Sequence, residues 1–436
     1  MKLKILLIGN GAREHAIAER LAEEVELYVV MSKKNPGIAK LAKKIYITNI
    51  EDPEAVHYAL GGEHFDLGFA SPDAVLAAGV SDMLAKSCTK VASPTKAASR
   101  IEWDKGFMRE LMEKYKIDGS LKHKIVESEE DARTTMKEYG QVALKPLGLT
   151  GGKGVKVSGD HFKTIDEGME YVKSLLEKDG MALIEEKAEG EEFSYQCFSD
   201  GTRIAVMPPV QDHKRAFEKD LGPNTGGMGS YSTGKHLPFL TEANARQAER
   251  ILEAVITAMK KEGCEFRGVL YGQFMVGKQG VKVIEFNARF GDPEAMNVLA
   301  LLEGPNTLSK IFESIADGKL ILPKFSDDCT VVKYLVPDGY PDKPVKDVEV
   351  ALDRRGIEKL GAKVYDAAVY EKDDKTYTTG SRGFGILGKG KTLAEAEEIA
   401  EKACAHKKGP LWHRRDIGTK ELVQKRVEHM RKIRES

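Results

Sequence analysis

The 436-residue chain has little cysteine and no long apolar run. Its five cysteines (Cys88, Cys197, Cys264, Cys329, Cys404) are odd in number and far apart, and none forms a CxxC pair. That spacing excludes a disulfide framework and a cysteine-built zinc site, and leaves reduced thiols in a cytoplasmic protein as the expectation. No stretch of about 18 apolar residues exists, so no membrane-spanning helix is expected. The apolar start Leu3–Ile8 stops at Gly9, and Arg13 and Glu14 follow, so the segment is too short for a signal peptide core. Excess charge is also missing. Lys+Arg number 67 against 68 Asp+Glu, a balance that offers no global field to draw in nucleic acid or an anionic membrane. Repeats and low-complexity tracts are absent. What remains, with 41% apolar residues, is a globular chain long enough for two to four domains.

The first hundred residues alternate short apolar strands (Ile5–Ile8, Leu27–Val30, Phe65–Ala70, Lys90–Ala92) with helical patterns such as Glu14–Glu23 and Pro53–Ala59. This predicts βαβ units and a parallel, doubly wound sheet. A helical stretch over Trp103–Lys116 leads into an α+β body running to about Ile321, with Thr241–Glu262 its clearest helix. Beyond Pro323, Val331–Val336, Lys363–Tyr370 and Tyr377–Leu387 predict a small, mainly β module, followed by a helix from Leu393 and a basic tail helix, Lys420–Arg434, expected to be solvated. The expected division is 1–102, 103–324 with a mobile lobe at about 121–190, and 325–436.

The most informative segment is Val281-Lys-Val-Ile-Glu-Phe-Asn-Ala-Arg-Phe-Gly-Asp-Pro-Glu294. Strand periodicity puts Val281, Val283, Glu285 and Asn287 on one face, with Glu285 and Asn287 about 7 Å apart. A carboxylate and an amide oxygen at that spacing suit Mg²⁺, which one or two carboxylates and substrate phosphates commonly hold. An edge strand with a solvated polar face is the plainer alternative.

Glycine-rich segments supply candidate anion sites. Gly9-Asn10-Gly11-Ala12-Arg13-Glu14 follows the first strand and opens a helix, where backbone N–H groups and the helix dipole favour phosphate. Glu14 stands where the dinucleotide fingerprint has its third glycine and would repel a pyrophosphate, so a single phosphate read by Arg13 fits better. Lys145 ends an apolar strand and precedes Gly151-Gly152-Lys153-Gly154. Gln211-Asp-His-Lys-Arg215 precedes Pro223-Asn-Thr-Gly-Gly-Met-Gly229, a third candidate. Glu185 and Glu186 end another apolar strand, with Glu192 close behind. Singly, each segment also reads as a tight turn, a hairpin or a solvent-facing loop.

Taken in order, these segments resemble the ATP-grasp superfamily. Gln211–Arg215, Gly222–Gly229 and Glu285–Glu294, with Asn10–His15, Ala78–Asp82 and Asp416–Gly418, closely resemble the phosphoribosylamine–glycine ligase family over essentially the whole chain. The chain departs from the usual family pattern at Gly11-Ala12-Arg13, Ser71-Pro72-Asp73, the loop after Lys145, and Gly380-Ser381-Arg382. The resemblance implies an ATP-dependent ligase of purine synthesis that takes ATP, glycine and 5-phosphoribosylamine with Mg²⁺ or Mn²⁺, acts as a monomer, and binds neither nucleic acid nor membrane. It implies metal contacts from Glu285, Asn287 and Gln273, and phosphate contacts from Lys105 and Lys145. Gly151, Gly152, Lys153 and Gly154 would close over ATP, with Glu185 and Glu186 at adenosine and Glu192 at ribose or metal. Arg289, Asp292 and Lys214 would serve the reacting groups. Gly9, Asn10, Gly11, Arg13, Glu14, Asp73, Asp212, Asn224, Thr225, Gly226, Gly227 and Met228 would contact the other substrates. Two rival classes are another ATP-grasp ligase of purine synthesis or a carboxylase, of which a biotin-dependent or bicarbonate-using enzyme should lack the Gly-Pro-Asn-Thr-Gly-Gly-Met loop, and a non-catalytic nucleotide binder, which has no need to keep Glu285, Asn287 and Arg289 together.

Overall fold

The computed structural model describes residues 2–149 and 154–436. The loop residues Gly151, Gly152 and Lys153 lie outside this range. Its N-terminal sheet is wholly parallel, in the order Lys44–Ile47, Glu26–Met31, Lys4–Ile8, Phe65–Ala70, Cys88–Val91. Ile5, Leu6, Leu7 and Ile8 have no exposed surface, as expected of a central strand covered by helices on both faces. The chain leaves this strand to one side and later returns to the other. The carboxyl ends of Ile8 and Ala70 therefore meet at a topological switch point, where crevices form in doubly wound sheets. Gly9 and Ser71 begin the two loops there.

The strand Lys44–Ile47 was not expected; it is a short edge strand whose charged residue and exposed Ile47 hide the alternation. The helix expected over Trp103–Lys116 is Lys105–Lys114, and an unexpected helix, Lys96–Trp103, precedes it. Asp104 breaks them, because its side chain caps the second by accepting from the Phe107 N–H at 2.9 Å. Lys105 thereby becomes a first-turn residue beside Leu147 and Gly148.

Two antiparallel sheets follow. A small lobe orders its strands His123–Val126, Ala182–Glu186, Val142–Lys145, Lys156–Val157, with the helices Glu129–Tyr139 and Ile165–Asp179 enclosing a separate core around Met136, Val142, Val172 and Ile184. The larger sheet runs Ile204–Val206, Glu191–Asp200, Arg267–Gly277, Gly280–Asn287, against the helix Glu242–Lys261. Its core is continuous with that of the N-terminal sheet.

A β-bulge corrects the expected facing of the last strand. Gln273 pairs with Glu285, but Phe274 pairs with Val283, so Ile284 is an extra residue. The bulge reverses the alternation. Val281 and Val283 face the core, as does Phe286, whose ring stands edge-on to Phe274. Glu285 and Asn287 keep a common face, but it is the opposite one.

The C-terminal part is mainly β. Lys363–Tyr370 divides into the strands Lys363–Asp366 and Val369–Lys372, and Tyr377–Leu387 divides between Lys375–Thr378 and Phe384–Gly390. One sheet joins this part to the central body: Gln211–Asp212, Gly229–Ser232, Cys329–Pro337, Phe384–Gly390, Lys363–Asp366. No helix among the described residues is long and apolar enough to cross a membrane.

Candidate functional site

Two adjoining cavities, of about 320 and 340 Å³, meet between the sheets and share Val155, Asp212, Lys214 and Glu285. Glu285 stands at this seam. Among the described residues its carboxylate makes no hydrogen bond or close ion pair. Burial pushes the Glu285 carboxyl up, but Lys214, Lys145, Lys105 and Arg289 together pull it below its ordinary value. A charged, unpartnered carboxylate ringed by cations is suited to share a divalent ion with phosphates. Asn287 lies beside it, its Oδ1 accepting from Arg289 Nη2 at 2.9 Å. Gln273 fits the metal set less well: its oxygen accepts from the Tyr271 hydroxyl, and its amide donates to Glu192 Oε2 at 2.9 Å. Gln273 is a bracket between Tyr271 and Glu192, so the fit to a metal rests on Glu285 and Asn287.

The cations are held from behind. Lys145 Nζ lies 2.6 Å from Glu185 Oε2 and 3.3 Å from the Ile284 carbonyl exposed by the bulge. Arg109 donates to the other Glu185 oxygen at 2.5 Å and to the carbonyls of Val283 and Ile284 at 3.0 and 3.1 Å. Glu185 has no exposed surface. Both its oxygens face protein cations, so it positions Lys145, and it stands in the wall of the larger cavity beside Glu186. Glu186 is spent in part on the Lys122 N–H at 3.0 Å. Lys105 Nζ donates to the Gly148 carbonyl at 2.6 Å; burial lowers its ammonium, with Glu285 opposing. Lys214 lies 3.4 Å from Glu192. Burial pulls the Lys214 ammonium down, but Glu192, Glu285, Asp212 and Glu294 push it well above its ordinary value. Leu121, Ala143, Val157, Met275 and Ile284 form an apolar patch in the wall of the larger cavity, among polar residues that include Glu186, Glu192 and Asn224.

The smaller cavity collects Arg13, Asp73, Glu102, Lys105, Arg289, Asp292, Glu294 and Arg382. Arg289 Nε lies 3.1 Å from Glu102, whose carboxyl is pushed up to about 7 by burial despite that arginine. Burial raises the Asp73 carboxyl too, but Arg289 and Arg13 outweigh it. The N-terminal loop differs from expectation. Glu14 folds back, accepting from the Gly11 N–H at 2.7 Å and from Ser71 Oγ at 2.6 Å. Gly9 has φ +133°, and a Cβ there would lie 2.5 Å from Glu14 Cγ. Glu14 thus fills the place an anion would take at Gly11, and Asn10 is turned aside to Ser32. Arg13 is the loop group that reaches the cavity, anchored on Glu14 Oε1 at 2.6 Å and on Ser71 Oγ and the Phe290 carbonyl, each at 3.1 Å.

Thr225, Gly226 and Gly227 form a tight loop over Asp212. Gly227 has φ +104°, and a Cβ there would meet Asp212 Oδ1 at 2.5 Å, so only glycine fits. Burial and neighbouring Glu294 raise the Asp212 carboxyl despite Lys214 and Arg382. Met228 is corrected: it has no exposed surface, and it serves the core. Asp292 is gripped by the Tyr334 hydroxyl and by Arg382, 3.3 Å away. Arg382 also donates to the carbonyls of Gly226 and Gly227 at 2.6 and 3.0 Å. It comes from the C-terminal part and so completes the site from a distance of many residues. The roles of Arg109, Glu102, Tyr271 and Glu294 escaped the sequence reading. Only Glu294 carried a signal, as a carboxylate in the Gly-Asp-Pro-Glu turn.

Comparison with known proteins gives the same architecture. Residues 3–102, 103–295 and 330–420 match the N domain, the ATP-grasp (A) domain and the C domain of phosphoribosylglycinamide synthetase. Phosphoribosylamine–glycine ligase of Methanobrevibacter smithii is 47% identical over 437 residues, spanning 99% of this chain and 100% of that protein. The ligase of Pyrococcus abyssi is 45% identical over 434 residues, spanning 99% and 98%. The crystal structure of the Thermotoga maritima phosphoribosylamine–glycine ligase superposes with a TM-score of 0.81 at 27% identity, covering 95% of this chain and 100% of that one. A Campylobacter jejuni biotin carboxylase reaches 0.74 at 14% identity, over 99% of each chain, which shows the shared fold alone.

A separate lysine-bearing lobe and a carboxylate-bearing strand that line one cavity, within residues that match the ATP-grasp (A) domain, define an ATP-dependent ligase of the ATP-grasp class. Within that class, the chain belongs to the phosphoribosylglycinamide synthetase family.

Proposed function

We propose that the chain joins glycine to 5-phosphoribosylamine, converting ATP to ADP and phosphate and giving glycinamide ribonucleotide in de novo purine synthesis. The observation that carries the reading is Glu285, a charged carboxylate with no partner among the described residues, at the seam of two cavities, one with an apolar patch in its wall, the other rich in paired charges. A glycine carboxylate is a poor acyl donor, because oxide would have to leave. Transfer of the γ-phosphoryl group gives glycyl phosphate, which the amine of phosphoribosylamine then attacks, expelling phosphate.

No side-chain nucleophile is needed; alignment and charge neutralisation carry the chemistry. Bound Mg²⁺ or Mn²⁺ would neutralise phosphate charge, with Glu285 and Asn287 holding it. Lys105 and Lys145 contact the α- and β-phosphates from fixed positions. The apolar patch of the larger cavity takes adenine, Glu186 lies near the base, and Glu192 meets ribose. Lys214 and Arg289 steady the transferred phosphoryl group. Asp292, oriented by Tyr334 and Arg382, pairs with the amino group of glycine or of phosphoribosylamine, above the floor made by Asp212, Thr225 and Gly226, while Asn224 lies on the nucleotide side. The lobe at about 121–190, including Gly151–Gly154, closes over ATP and excludes water from the acyl phosphate. The domain limits 102 and 324, a monomeric state and a cytoplasmic location belong to the same reading.

The test is phosphate release from ATP with substrates omitted singly. Release that requires both glycine and phosphoribosylamine supports the assignment; release driven by bicarbonate with glycine absent refutes it. The 5-phosphate is assigned to Arg13, because Glu14 occupies the Gly11 amide. Replacing Arg13 with alanine is expected to raise KM for phosphoribosylamine by about a hundredfold and KM for ATP by less than about threefold, from loss of a buried charge-assisted contact. Equal changes in both constants would refute the phosphate contact.

A further inference from the structure

The basic tail helix, Lys420–Glu435, is docked along one side and exposed along the other. Leu422 and Met430 are buried, and Val423, Val427 and Ile433 pack against the main core. The helix lies beyond residue 420, where the match to the family C domain ends. Its polar side reaches the larger cavity, where Arg426 is a wall residue.

Arg426 joins two walls of that cavity. Its Nη1 lies 3.3 Å from Glu191 Oε2, and its Nη2 lies 2.6 Å from Asp220 Oδ2. Glu191 opens the strand that carries Glu192, and His429 Nδ1 meets its second oxygen at 2.6 Å. Asp220 lies in the turn of the hairpin whose arms are Arg215–Phe217 and Leu221–Asn224. Both Lys219 and Asp220 have φ +62°, in the left-handed region that side chains resist, so this turn needs outside support. Arg414 supplies part of it, donating to Asp220 Oδ1 at 2.8 Å. The hairpin arms end in Lys214 and Arg215 on one side and Asn224 on the other, all facing the cavity.

We propose that the tail helix is a brace for the nucleotide cavity, with Arg426 the positioning residue that locks the Glu191–Glu192 edge to the Lys214–Asn224 hairpin. This rests on reading the larger cavity as the ATP site. The brace acts at the ribose and phosphate edge, on the side away from Asp292, so it affects nucleotide and leaves glycine alone.

The experiment measures ADP dissociation constants by calorimetry and KM for ATP and glycine in the full chain. Arg426→Ala is expected to weaken ADP binding and raise KM for ATP by about tenfold, since a small misplacement of binding groups has effects of that order. KM for glycine should stay within twofold, and Arg426→Lys should recover part of the loss. Glu191→Gln keeps side-chain shape and should reproduce the same selective shift, so the test survives if Arg426→Ala folds poorly. Arg431→Ala, on the exposed side of the helix, should change nothing. Unchanged ADP binding in folded Arg426→Ala, or equal shifts in the constants for ATP and glycine, overturns the brace. Failure of the wild-type chain to bind ADP refutes the nucleotide reading itself, and the brace with it.

Discussion

Replacing Glu285 with alanine is expected to lower kcat by at least about a thousandfold, the scale on which preorganised charge acts in catalysis. The carboxylate is the one anionic oxygen donor assigned to the metal on its strand. Asn287 already shares its oxygen with Arg289, and Gln273 is committed to Tyr271 and Glu192. Without Glu285, the cations Lys105, Lys145, Lys214 and Arg289 remain, but nothing fixes an ion between them. The fold should survive, because Glu285 is half-buried at a cavity wall and carries no hydrogen bond on which the sheet depends. Glu285→Gln, which keeps the shape, should be nearly as inactive. Steady-state kinetics and a thermal melt on the same preparation check this. Turnover within about threefold of wild type would remove Glu285 from the reaction.

Replacing Glu185 with alanine is expected to cost roughly 3–5 kcal/mol of stability, the usual consequence of leaving buried charges unpaired. Arg109 and Lys145 both point at this carboxylate, and neither Glu185 nor Arg109 has exposed side-chain surface. Stability should also depend on pH in a defined direction. Burial pushes the Glu185 carboxyl up, but Arg109 and Lys145 overcome it and hold the folded value at about 2, against an ordinary 4.5. A group depressed on folding contributes its stability above the unfolded value, so the contribution is full above pH 4.5 and fades as pH falls from there toward 2. The gap corresponds to roughly 3 kcal/mol. Urea unfolding at pH 7 and pH 3 should show wild type losing most of its advantage over Glu185→Gln at the lower pH. A constant difference would mean that the ion cluster does not titrate as described. Lys145 should also loosen in either variant, so ATP binding weakens together with stability.

Much of the fold could be read along the chain. The run Ile5–Ile8 is a central strand because four apolar residues in succession can be covered on both faces only inside a parallel sheet. Thr241–Glu262 is a helix because its apolar residues recur at helical spacing, and the helix observed, Glu242–Lys261, is capped by Thr241. Of the site, Glu285, Asn287, Arg289, Lys145, Lys214, Asp212 and Asp292 lie around the two cavities. The contacts that could not be read along the chain share a cause. Glu185 looks like a strand-end carboxylate facing solvent, yet Arg109 arrives from a helix 76 positions earlier. Arg382 approaches Asp292 from 90 positions later. Burial and ion pairing of this kind are properties of pairs, and local pattern cannot report a partner that distant.

The order of the glycine loops, the Glu-x-Asn strand and its Arg289 and Asp292 are written in the linear sequence, because each depends only on residue type and short spacing; these determined the class of chemistry and the family. Which carboxylates stay free was decided in three dimensions. The bulge at Ile284 turned Glu285 toward the cavities, Glu14 closed the first loop on itself, and Arg109 claimed Glu185. A buried charge is settled by whichever opposite charge folding delivers to it, and that delivery depends on how the sheets pack.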